Sequence, residues 1–232
     1  MNILQRLYSE ENKYIEELDR LEKHPDDVDF VGTKDGSGWL CLRAKEDSFD
    51  WNIARLIGDY AIAESFTEKI PFKECVLLVP NKTAVKVNKK CKAAGSVLFF
   101  ESGKSLFNDE DSDYLNICCE FNLSRKCIRT RVSLVDARID DIYILMHNRI
   151  VGYCKVSKSC WHYSEIVIEI SPSFRGQGYG TALLSMMVQQ FRVSNVRLSY
   201  LVENDNIASL KIAENAGLIK VFTLDRYNLT LQ

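Results

Sequence analysis

Gly176, Gly178 and Gly180 fall within five residues, between the alternating run "SEIVIEI" and the helix-patterned stretch Thr181–Phe191. Glycine serves poorly inside strands and helices, so three of them at a strand-to-helix junction mark a place where the backbone itself has work to do. The first N–H groups of a helix lack intrahelical partners, and with the helix dipole they form a ready anion site. "RGQGYGT", with Arg175 adding charge at its entrance, therefore reads as a pyrophosphate cradle. A tight strand-to-helix turn with no ligand is the other reading of the loop taken alone. The spacing excludes G-x-x-x-x-G-K-[ST], so this is not a P-loop. It also excludes G-x-G-x-x-G, and no acidic residue is placed for a ribose.

The rest of the C-terminal half supplies the frame. Val132–Ala137 reads as a strand, "DIYILMHNRIVGYCKVSK" as a hairpin turning at "HN", and "SEIVIEI" as a further strand. After the glycine loop and its helix come a strand "VRLSYLV", a helix "NIASLKIAENAG" stopped by Gly217, and one or two closing strands in "LIKVFTLDRYNLTL". The order β-β-β-β-α-β-α-β predicts a mixed α/β layer structure around a central sheet.

Residues 1–125 carry no motif tied to a chemistry and read as a second α/β unit, with the boundary to 126–232 near residue 125. Apolar spacing predicts helices over 3–23 and Ile53–Phe66, and strands at Trp39–Leu42, "CVLLVP" and "SVLFFESG". The stretch "HPDDVDFVGTKDGSG" reads as loop. Thr83–Gly95, with Lys82, Lys86, Lys89, Lys90 and Lys92, reads as a solvated helix face, a phosphate-binding patch being the other reading. The acidic run "FNDEDSDYLN" reads as a solvated loop, without the glycine and distal glutamate of a calcium loop.

Composition narrows the class. The 232 residues are 46% apolar and 27% charged, as in ordinary globular proteins. No run of about 18 apolar residues or signal-peptide pattern occurs, so a cytoplasmic protein that neither spans nor binds membranes is expected. Residues 1–125 hold 17 basic and 23 acidic residues and residues 126–232 hold 13 and 9, a mild basic excess that suits a small anionic ligand but not specific nucleic-acid binding. The eight cysteines include no C-x-x-C pair and there are only three histidines, so no metal site is expected and the cysteines read as reduced, mostly buried thiols. Cys160 beside Trp161 and His162 reads as a hairpin end with a chance neighbour rather than as a nucleophile, adjacent strand residues pointing to opposite faces.

The loop and the later stretch "ENDNIASLKIAENAGL" together resemble the GCN5-related N-acetyltransferase superfamily over roughly residues 127–232. The first matches its R/Q-x-x-G-x-G/A signature as Arg175 to Gly180. The second resembles its N-x-x-S…A-E-K-x-G-F stretch through Asn206, Ser209, Ala213, Glu214 and Gly217, with Asn215 in place of the usual lysine and Leu218 in place of the phenylalanine. The resemblance implies acetyl-coenzyme A as cosubstrate. The amides of Gly176, Gln177, Gly178, Tyr179, Gly180 and Thr181, with Arg175, would hold its pyrophosphate. Ile168 and Ile170 would pair with the pantetheine arm, the Ile170 N–H would face the thioester oxygen, and Asn206 would bond the pantetheine near Ser209. It also implies that "SEIVIEI" splays from "VRLSYLV" to admit the acyl group.

Transfer to an amine needs a base, an oxyanion donor and a proton for the leaving thiolate. Glu169 and Glu165 are the candidate bases, each expected to lose hydration among apolar neighbours. The tyrosine that many relatives carry four residues before the closing glycine is Ala213 here, so Tyr227, Tyr200, solvent or the substrate itself would supply the proton. The expected function is an N-acetyltransferase acting on a small-molecule or protein amine, as monomer or homodimer. The alternative is a non-catalytic module that binds coenzyme A. The short link between Ala137 and Ile142, where the family usually places two helices, suggests that residues 1–125 wall the acceptor side.

Overall fold

The computed structural model describes residues 2–44, 51–81, 91–102, 121–123, 126–135, 138–146, 149–191 and 196–230. The fold is mixed α/β, as expected, and divides into two compact units. Unit 1 gathers Met1–Leu98, Glu203–Asp205 and Phe222–Gln232, and unit 2 gathers Phe99–Val202 and Asn206–Val221. The boundary expected near residue 125 falls at 124–125, outside the described residues.

Unit 1 opens with two helices, α1 (Ile3–Ser9) and α2 (Ile15–Lys23), separated by a 3₁₀ turn at Glu11–Lys13 where one helix was expected. Asn2 caps α1 through the Gln5 N–H, and the Gln5 side chain answers on the Asn2 N–H. Strand β1 (Val28–Lys34) pairs antiparallel with β2 (Ser37–Leu42), although the sequence pattern placed a loop over most of this hairpin. The turn is Asp35-Gly36, with φ of 52° and 72°, the left-handed pair that a two-residue hairpin requires.

The helix expected over Ile53–Phe66 is also corrected. Ile53–Ile57 is strand β3, Gly58 turns the chain at φ 76°, and only Tyr60–Ala63 is α-helix (α3), followed by a 3₁₀ stretch. Strand β4 (Glu74–Pro80) runs parallel to β3, and β5 (Cys91–Glu101) takes in Cys91–Gly95, where a helix was expected. Lys82, Lys86, Lys89, Lys90 and the acidic run 107–116 lie outside the described residues.

The unit 1 core follows strand alternation. Trp39 and Cys41 of β2, Ala54 and Leu56 of β3, and Cys75, Leu77 and Val79 of β4 bury one face of the sheet with Ala63, Ile70 and Phe72. Trp39 donates its indole N–H to the Ala63 carbonyl at 2.9 Å. Leu40 and Leu42 alternate to the other face, which they share with Arg55, the partner of Leu40 across β2–β3. Arg55 donates to the Lys13 carbonyl and pairs with Glu17, both charged side chains being buried. Burial pushes the thiols of Cys41 and Cys75 up to about 12. Both groups are neutral when folded, so their contribution is whole below pH 9 and is lost as pH rises from 9 toward 12. Urea midpoints are expected to stay level from pH 7 to 9 and then fall, each thiol costing about 1.4 kcal/mol per pH unit. Replacing both with alanine would flatten that slope.

Unit 2 follows the expected order. Strands β6 (Phe121–Leu123), β7 (Lys126–Val135), β8 (Arg138–Met146), β9 (Arg149–Cys160) and β10 (Tyr163–Ile170) form an antiparallel series. The expected "HN" turn at 147–148 lies outside the described residues. Helix α4 (Tyr179–Phe191) then crosses back over β8, β9 and β10, and β11 (Arg197–Glu203) runs parallel to β10. Helix α5 (Ile207–Asn215) packs on α4 and ends at Gly217, φ 77°, where the Leu218 N–H returns to the Ala213 carbonyl. A single strand, β12 (Ile219–Thr230), closes the chain and pairs through Leu224–Thr230 with β4 of unit 1.

The described cysteines Cys41, Cys75, Cys91, Cys154 and Cys160 are free thiols, all but Cys91 buried. No helix among the described residues is long and apolar enough to cross a membrane.

Candidate functional site

The site grows out of how β10 ends. Strand β10 pairs with β11 only from Tyr163 to Ile166, opposite Arg197 to Tyr200, while its pairing with β9 continues to Ile170 opposite Gly152. Beyond Ile166 the two parallel strands part, as expected, and one edge of β10 is left without a strand partner among the described residues. Alternation fixes which groups face that gap. Ser171 donates its N–H to the Val151 carbonyl of β9 at 2.9 Å. The N–H groups of Ile170 and Ile168 therefore point the other way, into the gap. Gly152 gives Ile170 room, since a Cβ there would stand 2.5 Å from the Ile170 Cδ1.

Next along the chain, a 3₁₀ turn at Pro172–Phe174 leads into the glycine loop. Gly176 and Gly178 take φ of 73° and 85°, values that side chains with a Cβ rarely accept. The first helical hydrogen bond of α4 runs from the Ala182 N–H to the Gly178 carbonyl, so the N–H groups of Tyr179, Gly180 and Thr181 have no partner inside the helix. Gly180 serves packing instead: a Cβ there would meet the Ile212 Cδ1 of α5 at 2.6 Å. Arg175 ties the loop to the strand end through its Nε and the Ile170 carbonyl at 3.0 Å.

These elements enclose a cavity of about 710 Å³, lined by β10, the loop, α4, β11 and α5. Ten of the expected cofactor residues line it: Ile168, Ile170, Arg175, Gly176, Gly178, Tyr179, Gly180, Thr181, Asn206 and Ser209. Gln177 is not among the lining residues, its side-chain amide donating to the Ser173 carbonyl. Asn206 spends its side-chain oxygen capping α5 through the Ser209 N–H.

The catalytic expectations fare unevenly. Glu169 lines the cavity, but its side chain is exposed, so the expected desolvation is absent. One of its oxygens accepts a 2.6 Å hydrogen bond from the Tyr153 hydroxyl. Glu165 is buried, yet it is not a lining residue; it pairs with Lys158 and accepts from the Ser157 hydroxyl. Tyr227 belongs to unit 1, packed against the core around Trp39.

Tyr200 of β11 is buried and lines the cavity; burial raises its phenol, and a hydrogen bond with the Ser209 side chain partly offsets that rise. It therefore carries its proton at neutral pH. The cavity also holds Phe174, Ile207, Ala208, Lys211 and Ile212, which sequence reasoning did not single out, and Asn215, which it noted only in place of the family's usual lysine. The one-turn spacing of Lys211 and Asn215 on α5 was the signal for their shared face.

The donor set fits an elongated anionic carrier with amides along its arm. Unpartnered helix N–H groups and the cations Arg175 and Lys211 suit phosphates, and the open strand edge suits amide groups.

Comparison with known proteins agrees with this geometry. Residues 104–218 match the model of the acetyltransferase (GNAT) family. Among solved structures, the chain resembles a GCN5-related N-acetyltransferase from Kribbella flavida (14% identity, TM-score 0.61, covering 99% of this chain and 96% of that one). It also resembles an acetyltransferase from the GNAT family from Colwellia psychrerythraea (10%, 0.55, 99% and 98%) and a GCN5-related N-acetyltransferase from Sphaerobacter thermophilus (9%, 0.54, 82% and 76%). At these identities the likeness is one of fold. No curated protein matches the sequence.

Proposed function

We propose that this chain transfers an acetyl group from acetyl-coenzyme A to an amine acceptor, a small molecule or a protein, a reading supported by the match of residues 104–218 to the acetyltransferase (GNAT) family. The observation that carries the reading is the parting of β10 from β11 beyond Ile166, beside the unpartnered first turn of α4. When bound, acetyl-coenzyme A supplies an activated thioester carbonyl. The amides of Gly178 to Thr181 hold phosphate, with Arg175 adding charge. Ile168 and Ile170 offer strand hydrogen bonds to the arm, and the Ile170 N–H serves a carbonyl oxygen in the gap. Glu169 takes a proton from the acceptor, and Tyr200 gives one to the leaving group. A cytoplasmic monomer or homodimer goes with this reading.

Release of free coenzyme A from acetyl-coenzyme A, measured across a panel of amines, tests it. The replacement of the family's tyrosine by the fully buried Ala213 supports the second reading, a module that binds coenzyme A without turnover. Tight coenzyme A binding with no release above the hydrolysis rate for any amine would establish that second reading. For an active protein, Glu169→Gln is expected to lower kcat some tenfold with the KM for acetyl-coenzyme A unchanged. That is below the usual contribution of a general base, because water reaches an exposed carboxylate and substitutes for it.

A further inference from the structure

Tyr153 and Glu169 are direct cross-strand partners on β9 and β10. The phenol donates to Glu169 Oε2 at 2.6 Å, a short bond of the kind made to a charged acceptor. The Lys155 ammonium sits over the Tyr153 ring, 5.3 Å from its centroid, and draws electron density from the phenol that donates. The other carboxylate oxygen, Oε1, has no hydrogen bond or ion pair among the described residues.

We infer that Tyr153 is a positioning residue for the acceptor side of the site, holding Oε2 so that Oε1 receives an acceptor that arrives as a primary ammonium. The inference rests on the acetyl-transfer reading above and assigns the group that orients the carboxylate facing the acceptor. An unheld glutamate on an exposed strand samples several rotamers, and most of them aim the carboxylate into solvent. With Oε2 fixed, one oxygen remains, which suits a single N–H donor. The step is a proton transfer: one N–H bond of the ammonium breaks, one O–H bond forms at Oε1, and the freed pair on nitrogen becomes the nucleophile. Among the described residues, the other charged or titratable groups beside Glu169 or lining its cavity are Lys155 on β9, Arg175 on the loop, Tyr179 and Lys211 on α4 and α5, and Tyr200 on β11. Arg175 is anchored to the Ile170 carbonyl and Tyr200 is hydrogen-bonded to Ser209, so the bond from Tyr153 is what orients this carboxylate.

The test is a double-mutant cycle with Tyr153→Phe, Glu169→Gln and the double variant, read as separate kcat and KM values for a primary amine and for acetyl-coenzyme A. Tyr153→Phe is expected to lower kcat/KM for the amine about tenfold, the worth of one hydrogen bond to a charged group. The KM for acetyl-coenzyme A should stay within about twofold, since the phenol donates to Glu169 and Tyr153 is not a lining residue of the cavity, and the double variant should be no slower than Glu169→Gln alone. Losses that multiply, or a Tyr153→Phe variant as active as wild type, would overturn the inference.

A second readout does not need turnover. In protein labelled with ¹³C at the glutamate carboxyl, the Glu169 resonance, assigned through Glu169→Gln, should be displaced at pH 7 by Tyr153→Phe. An unmoved resonance overturns the inference even if activity falls. If wild type acetylates no amine, the acetyl-transfer reading fails, and the resonance still decides whether Tyr153 holds Glu169.

Discussion

Replacing Ile170 with proline is expected to lower kcat about 10²–10³-fold, the cost of removing an oxyanion donor, while the protein stays folded and still binds coenzyme A. Proline deletes one N–H, and whether the sheet suffers depends on where that N–H points. The Ser171 N–H is spent on Val151, so alternation turns the Ile170 N–H into the gap, where no strand receives it. Val167 gives the control, because by the same alternation its N–H belongs to the β9 side. Val167→Pro is expected to lose a ladder bond and lower the melting temperature, whereas Ile170→Pro leaves it nearly unchanged. The measurements are thermal melts, calorimetric binding of coenzyme A and single-turnover rates. Full activity in a folded Ile170→Pro variant would place the oxyanion donor elsewhere.

Gly178→Val is expected to weaken coenzyme A binding by roughly 10² or more. At φ 85° a β-branched residue is strained by about 1–2 kcal/mol. The loop relieves that strain by moving the very amides that face the ligand, at about 1.5–3 kcal/mol for each charge-assisted bond lost. Gly180→Ala is the informative contrast. Its Cβ would press mainly on the flexible Ile212 side chain, nearest at Cδ1, and its φ is not positive, so a loss within about threefold is expected. Calorimetry on both variants, with circular dichroism to confirm folding, separates the cases. Equal affinities for Gly178→Val and wild type would remove the phosphate cradle from this loop.

Unit 2 was legible because its signals are local. Alternating runs between polar turns specify β8, β9 and β10, and the glycine loop and Gly217 punctuate α4 and α5. The errors in unit 1 arise where a strand mimics another pattern. Val28–Lys34 is rich in Asp, Gly and Thr and lies on the edge of its sheet, so its apolar alternation is weak; the Asp35-Gly36 dipeptide was the hairpin signal. Ile53–Phe66 presents apolar residues at helical intervals because a buried strand and a short helix sit end to end. Gly58 alone marks the joint. Much of the cavity lining was readable because it is one continuous stretch from Ile168 to Thr181. Tyr153 and Lys155 were not, since they meet Glu169 and Val167 only through the register of β9 on β10, which alternation does not specify.

The path of the chain through unit 1 has a consequence for how the protein is made. Residues 224–230 zip onto β4, whose own residues, 74–80, leave the ribosome some 150 residues earlier. During synthesis the edge of β4 that β12 will occupy therefore waits, with its hydrogen-bonding groups unclaimed, until the final segment emerges. A stop codon or proteolytic nick that removed the chain from Leu224 onward would leave the nascent β4 edge open to pairing with other chains, so loss of that segment should appear first as aggregation of unit 1.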